Sequence, residues 1–109
     1  MLELKLFRYQ RADGRVPFTE WLNALRDKRA QARIRVRLQR LGAGNLGDIK
    51  TVGGGVSELR MPFGPGYRVY LAQQGSSWLL LLCGGDKSSQ QKDIEIAKSY
   101  LKDWKERQK

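Results

Sequence analysis

The chain predicts a small domain of mixed class, α/β in the α+β sense. We expect a mostly antiparallel four-stranded sheet carrying an N-terminal helix pair on one face, followed by a C-terminal helix, in the order β-α-α-β-β-β-α. Three observations lead there. The length of 109 residues suits one domain spanning 1–109. Apolar residues recur at helical spacing near both ends. Between them, residues 56–83 hold strand-like runs separated by turns rich in glycine and proline.

Taken in order, Leu2–Tyr9 alternates, with Leu2, Leu4 and Leu6 on one side and Glu3 and Lys5 on the other, as in a half-buried strand. Gln10–Val16 is polar and reads as a loop. Pro17 opens a helix where its missing N–H does no harm. Phe18, Trp21, Leu22 and Leu25 then form one apolar stripe, and the helix runs to about Arg26. A break at Asp27-Lys28 leads to a second helix, about 29–41, with Ala30, Ile34, Leu38 and Leu41 inward and Gly42 as the stop.

Gly42–Gly55 holds six of the twelve glycines and reads as a mobile connector. Its G-x-G-x-x-G spacing follows a helix rather than a strand, so it is not a dinucleotide fingerprint. Val56–Met61, Tyr67–Ala72 and Trp78–Cys83 are the next strands, the last apolar on both faces and therefore interior. The final helix starts near Ser88 or Ser89, where Ser88 and Gln91 form a capping-box pattern. Its inner stripe is Ile94, Ala97, Leu101 and Trp104.

Composition narrows the partners. The net charge is +10, and the chain has no histidine. Such a domain repels itself unless it meets polyanions: nucleic acid, an acidic protein or an anionic membrane. The membrane is the weakest of these, because the longest apolar run, Trp78–Cys83, falls far short of the ~20 residues of a spanning helix. The N-terminus also lacks the apolar stretch of a secretory signal, so a cytoplasmic protein is expected. Without histidine the usual zinc sites are absent, and no metal or other cofactor is expected. Cys83, the sole cysteine, has no such base to activate it and reads as packing. The basic excess centres on the second helix, where Arg33, Arg37 and Arg40 are candidate RNA-backbone contacts, with Lys50 in the connector. Ser88 and Ser89 open the last helix, whose free N–H groups suit a phosphate.

Folding the hairpin 56–72 about Gly64 sets Arg60 opposite Arg68 and Glu58 opposite Tyr70. Leu59, Met61, Tyr67, Val69 and Leu71 then face a core, while Glu58, Arg60, Arg68 and Tyr70 share the other, open face. Opposed like charges cost a hairpin roughly 0.2–1 kcal/mol. Either the two guanidiniums reach into water or are bridged by Glu58, or they form an anion site able to grip a phosphate bidentately.

At these residues a resemblance is evident. SELRMPFGPGYRVYL and LLLLCGGDKSSQQKDIEIA, with PFTEWLNAL upstream, resemble the toxins of bacterial type II toxin–antitoxin modules. The likeness is to the RelE/ParE superfamily, within it the HigB-like addiction module killer group, and it covers nearly the whole chain. It implies a compact toxin that cuts messenger RNA, usually on the ribosome. It also implies an antitoxin, typically a helix-turn-helix DNA-binding protein, that silences the toxin in a hetero-oligomer. Arg68 in GYR and Lys87 in GGDK sit where related toxins carry basic functional residues.

Metal-free RNA cleavage uses the 2′-hydroxyl as nucleophile and needs a base, charge stabilisation at phosphorus and an acid. Arg60, Arg68 and Lys87 are assigned to the phosphate, with Lys87 as an alternative acid. Asp86, Asp93 and Tyr70 are the acid–base candidates; Tyr70 could instead stack on a base, donate a hydrogen bond or serve only in cross-strand packing. Many relatives place tyrosine or histidine in the region corresponding to Gln90–Ile96. This chain has neither there, so the base stays unassigned. A ParE-like gyrase poison and a non-catalytic basic binding module are the alternatives on the same fold.

Overall fold

A computed structural model describes residues 3–109. The elements are β1 (Lys5–Arg8), α1 (Pro17–Ala24), α2 (Lys28–Gly42), β2 (Ile49–Gly53), β3 (Val56–Met61), β4 (Tyr67–Gln74), β5 (Trp78–Gly85), a 3-10 turn (Lys87–Ser89) and α3 (Gln90–Arg107). One five-stranded sheet results, in the order β1-β5-β4-β3-β2. Strand β1 runs parallel to β5, and the other pairs are antiparallel.

The sheet therefore has five strands where four were expected. The additional strand, β2, lies inside the stretch read as a mobile connector. Its Ile49, Thr51 and Val52 are β-branched and suit a pleated edge. The glycines around them hid that signal. Gly53, Gly54 and Gly55 all adopt positive φ, which is how so short a hairpin closes onto β3. The expected first strand survives as Lys5–Arg8, with Leu4 and Leu6 packed on the core; Leu2 lies outside the described residues.

Helices α1 and α2 cover one face. Phe18, Leu22, Ala30, Ile34, Leu38 and Leu41 meet Leu59, Met61, Val69, Leu71, Leu79 and Leu81 there, so both inferred stripes and the hairpin's core face hold. Asp27 caps α2 by accepting from the backbone N–H groups of Arg29 and Ala30.

The second face is not open. Helix α3 lies across it, and Ala97 and Leu101 pack on Tyr9, Val56, Tyr70, Ala72, Leu80 and Leu82. A helix whose stripe is Ile94, Ala97, Leu101 and Trp104 must bury that stripe somewhere, and the sheet's free face is the available apolar surface.

A bulge sets the phase at the end of β5. Tyr70 pairs with Cys83 and Leu71 with Leu81, leaving Leu82 unpaired. Leu82 and Cys83 consequently both join the core under α3. The alternation resumes one step out of phase, which turns Gly84 toward α1 and Gly85 toward α3. A Cβ on Gly84 would overlap the Trp21 indole, and one on Gly85 would overlap the Asp93 carboxylate. These two glycines let α1 and the start of α3 close on the sheet.

Gly84→Ala should destabilise the fold by about 1–3 kcal/mol, the range for overpacking. Urea denaturation would show a lower midpoint at unchanged slope; an unchanged midpoint would mean that Trp21 moves away freely.

Candidate functional site

The hairpin β3–β4 has the register inferred from its turn, Arg60 opposite Arg68 and Glu58 opposite Tyr70. What fills the space between the arginines is Glu58. Its side chain has no solvent exposure. Arg60 Nε donates to Oε1 at 2.8 Å, Tyr70 Oη donates to Oε2 at 3.0 Å, and Gln90 Nε2 donates to Oε2 at 2.9 Å. Arg68 Nε lies 3.5 Å from Oε2, within ion-pair reach, but it is buried without a hydrogen-bond partner. The bridged arrangement thus describes how this hairpin tolerates two facing guanidiniums.

Their exposures differ. The Arg60 side chain is 37% exposed and that of Arg68 12%. Arg68 Nη1 also donates to the Gly66 carbonyl at 3.2 Å. Burial pushes the Glu58 carboxyl up, but hydrogen bonds from Arg60, Gln90 and Tyr70 outweigh it and hold the group below its ordinary 4.5. Burial, then the Glu58 hydrogen bond and charge, push the Tyr70 hydroxyl well above its usual range. Tyr70 is completely buried, so the expectation that it stacks on a base or exchanges a proton is overturned; it is a fixed donor to Glu58.

The rim where β5 ends differs from expectation in its caps. Asp86, not Ser88, caps the 3-10 turn, and Ser89 closes the capping box. The Ser88 hydroxyl and backbone N–H both reach Asp86 Oδ1, at 2.5 and 2.8 Å. These bonds hold the Asp86 carboxyl below its usual value. The Ser89 hydroxyl donates to Asp93 Oδ2 at 2.5 Å. Both serines are engaged with carboxylates, so the reading of this N-terminus as an open phosphate seat fails: Asp86 already supplies its anion.

Asp93 behaves differently from Asp86. Burial raises its pKa, the Ser89 hydrogen bond partly reverses that, and the Asp86 charge adds to the rise. Of the two carboxylates among the acid–base candidates, Asp93 is the one moved toward neutral pH. Lys87 is exposed, and its backbone N–H reaches the Pro65 carbonyl at 3.4 Å. A Cβ on Gly66 would lie 3.4 Å from Lys87 Cβ and 3.6 Å from Arg68 Nη1, so Lys87 and Arg68 meet beside Gly66.

The remaining arginines separate by environment. Arg37 donates to the carbonyls of Asn45 and Leu46 and so fastens the segment between α2 and β2. Burial, then the Arg40 charge, lower its pKa. Its expected role as a free phosphate contact is therefore replaced by a structural one. Arg33, Arg37, Arg40 and Arg60 all line one open cleft of about 520 Å³ between α2 and the turn after β3. Lys50 is exposed on β2, opposite Glu58 in register.

Glu58 as a hub, Gln90 as its donor and Phe63 as an arginine platform were not foreseen as functional. For Glu58 the signal was present, since the register set it opposite Tyr70 and two positions from the Arg60–Arg68 pair, close enough to bridge the guanidiniums. Gln90 lies 32 positions away and only the docking of α3 brings it in.

No protein-family model matches the chain. An uncharacterized protein of Haemophilus influenzae is 54% identical over 81 residues, covering 74% of this chain and 82% of that protein.

Removing the carboxylate should expose how much rests on it. Glu58→Gln leaves two guanidiniums without their counter-charge, a loss on the order of 3–5 kcal/mol. Because folding lowers the Glu58 pKa, its contribution is complete above 4.5 and disappears as pH falls through the folded-state value. Melts of the wild type should decline as pH falls below 4.5, and Glu58→Gln should start lower and decline less. Parallel curves would show that Glu58 is not the group titrating.

Proposed function

We propose that this chain, which belongs to the family of the Haemophilus influenzae protein, is the toxin of a type II toxin–antitoxin module, acting as a metal-independent messenger-RNA endonuclease. The observation that carries the reading is the pairing of Arg60 and Arg68 on the buried Glu58 carboxylate, with the stem of Lys87 beside Arg68 at Gly66. Glu58 offsets one of the two guanidinium charges, and the cation that remains, with a lysine beside it, suits a phosphate that gains negative charge during reaction.

In this reading the 2′-oxygen of the substrate attacks the adjacent phosphorus and the bond to the 5′-oxygen breaks. A cyclic phosphate and a free 5′-hydroxyl result. Arg60, the more exposed fork, meets the phosphate, with Arg68 and Lys87 alongside. Glu58 fixes the forks and keeps them aimed, with Tyr70 and Gln90 holding Glu58. Asp93, raised by burial, takes the proton from the 2′-hydroxyl, and Lys87 supplies one to the leaving oxygen. The cationic surface of α2 contacts the RNA backbone on the ribosome. An antitoxin of the helix-turn-helix DNA-binding kind covers part of that surface in the cytoplasm and silences the toxin.

Induced expression of the wild type should arrest growth and generate new 5′-hydroxyl ends within messages. Lys87→Gln, at an exposed position, should slow cleavage by about 10²–10³ while the protein stays folded. Arg60→Gln should slow it as much but with a lower melting midpoint, because it takes a charged partner from the buried Glu58. Growth arrest with intact messages and a DNA-damage response would assign the toxin to gyrase instead.

A further inference from the structure

We infer that the cleft between α2 and the Pro62–Gly66 turn is a subsite for one nucleotide flanking the cut, seating its base on an apolar floor and its phosphate on arginines. This rests on the endonuclease reading above and adds where the strand runs.

Helix α2 carries two stripes. The inner one is Ala30, Ile34, Leu38 and Leu41. The outer one is Arg33, Val36, Arg37 and Arg40, spaced i, i+3, i+4, i+7, and all four line the cleft. An exposed valine between arginines does nothing for solubility. Val36 is 45% exposed and lies across the cleft from Pro62 and Phe63.

The opposite wall is prepared for a flat group. The Arg33 guanidinium lies over the Phe63 ring, 3.8 Å from its centroid. That stack spreads a planar cation on an aromatic, and bases are held on such surfaces. Among the described residues neither Arg33 nor Arg40 forms an ion pair, and Asp48 is the one acid in the lining. The cleft therefore keeps a net positive charge beside exposed apolar surface. A nucleotide joins a π-face and an anion in one unit, whereas a peptide needs an aromatic and an acidic side chain at matching spacing to offer both.

Size and position agree with this. About 520 Å³ falls within the ~300–1,000 Å³ of small-ligand sites. Arg60 is common to the cleft wall and to the Glu58 cluster, so a strand lying in the cleft continues directly onto the candidate catalytic end. Arg37, engaged with the Asn45 and Leu46 carbonyls, holds the cleft's far edge rather than the ligand.

The test uses the full chain and a 2′-O-methyl RNA oligomer containing 4-thiouridine, which binds but cannot be cut. Ultraviolet crosslinks mapped by mass spectrometry should fall in residues 32–40 or 62–63. Val36→Glu, at an exposed position whose folding is checked by circular dichroism, should weaken oligomer binding about tenfold or more, the loss expected for one stacked base. Crosslinks confined to α3 and the end of β5, or unchanged affinity in Val36→Glu, would remove this subsite and leave the nuclease intact. Failure of the wild type both to retain the oligomer and to cut RNA would remove the nuclease, and the subsite with it.

Discussion

A single buried carboxylate organises the candidate functional end of this molecule. Glu58 sits on β3, flanked by strands on both sides, with no exposure, a position that normally rejects charge. It is tolerated because two guanidiniums, a phenol and an amide converge on it from β3, β4 and α3. Each of those partners is useful only while the others are in place. The arginines would repel one another without the acid, and the acid could not stay ionised without its donors. The cluster thus ties the register of β3–β4 to the docking of α3, and fixes the direction of the charged forks at the same time.

The sheet achieves this by being covered on both faces. Helices α1 and α2 bury one side, and α3 buries the other. The bulge at Leu82 adjusts the phase of β5 so that two successive glycines meet the two helical layers, one on each side. Side chains at either place would hold a helix off the sheet. Close approach at Gly85 is also what brings Asp93 into a partly dry setting, where burial raises its pKa. A backbone irregularity, a pair of glycines and an acid–base property are in this way links of one chain of cause.

Charge is distributed by role rather than spread evenly. Of 21 basic residues, Arg37 fastens a loop, Arg68 is nearly buried, Arg60 is half-held by Glu58, and Arg33 rests on an aromatic ring. The basic surface of α2 and the Glu58 cluster are separate in sequence but meet at Arg60, in the wall of one cleft. That continuity, more than net charge, links the cationic helix to the candidate catalytic end.

Local periodicity alone determined a good deal: both N-terminal helices, their inner stripes, the strands 56–83, the facing of Arg60 and Arg68, and the basic balance. Those features depend on neighbours within a turn or a hairpin, where spacing of 3.6 or 2 is enough. It did not disclose β2, because edge strands among glycines carry little hydrophobic signal. It did not disclose that α3 closes the face holding Tyr70, because a helix's stripe states that it must be buried but not against what. Only the tertiary structure decided that Tyr70 is a buried donor, that Asp86 rather than Ser88 caps the final helical segment, and that Gln90 completes the Glu58 cluster. Each of those outcomes turns on contacts between distant segments, or on a one-residue shift in phase that composition does not encode.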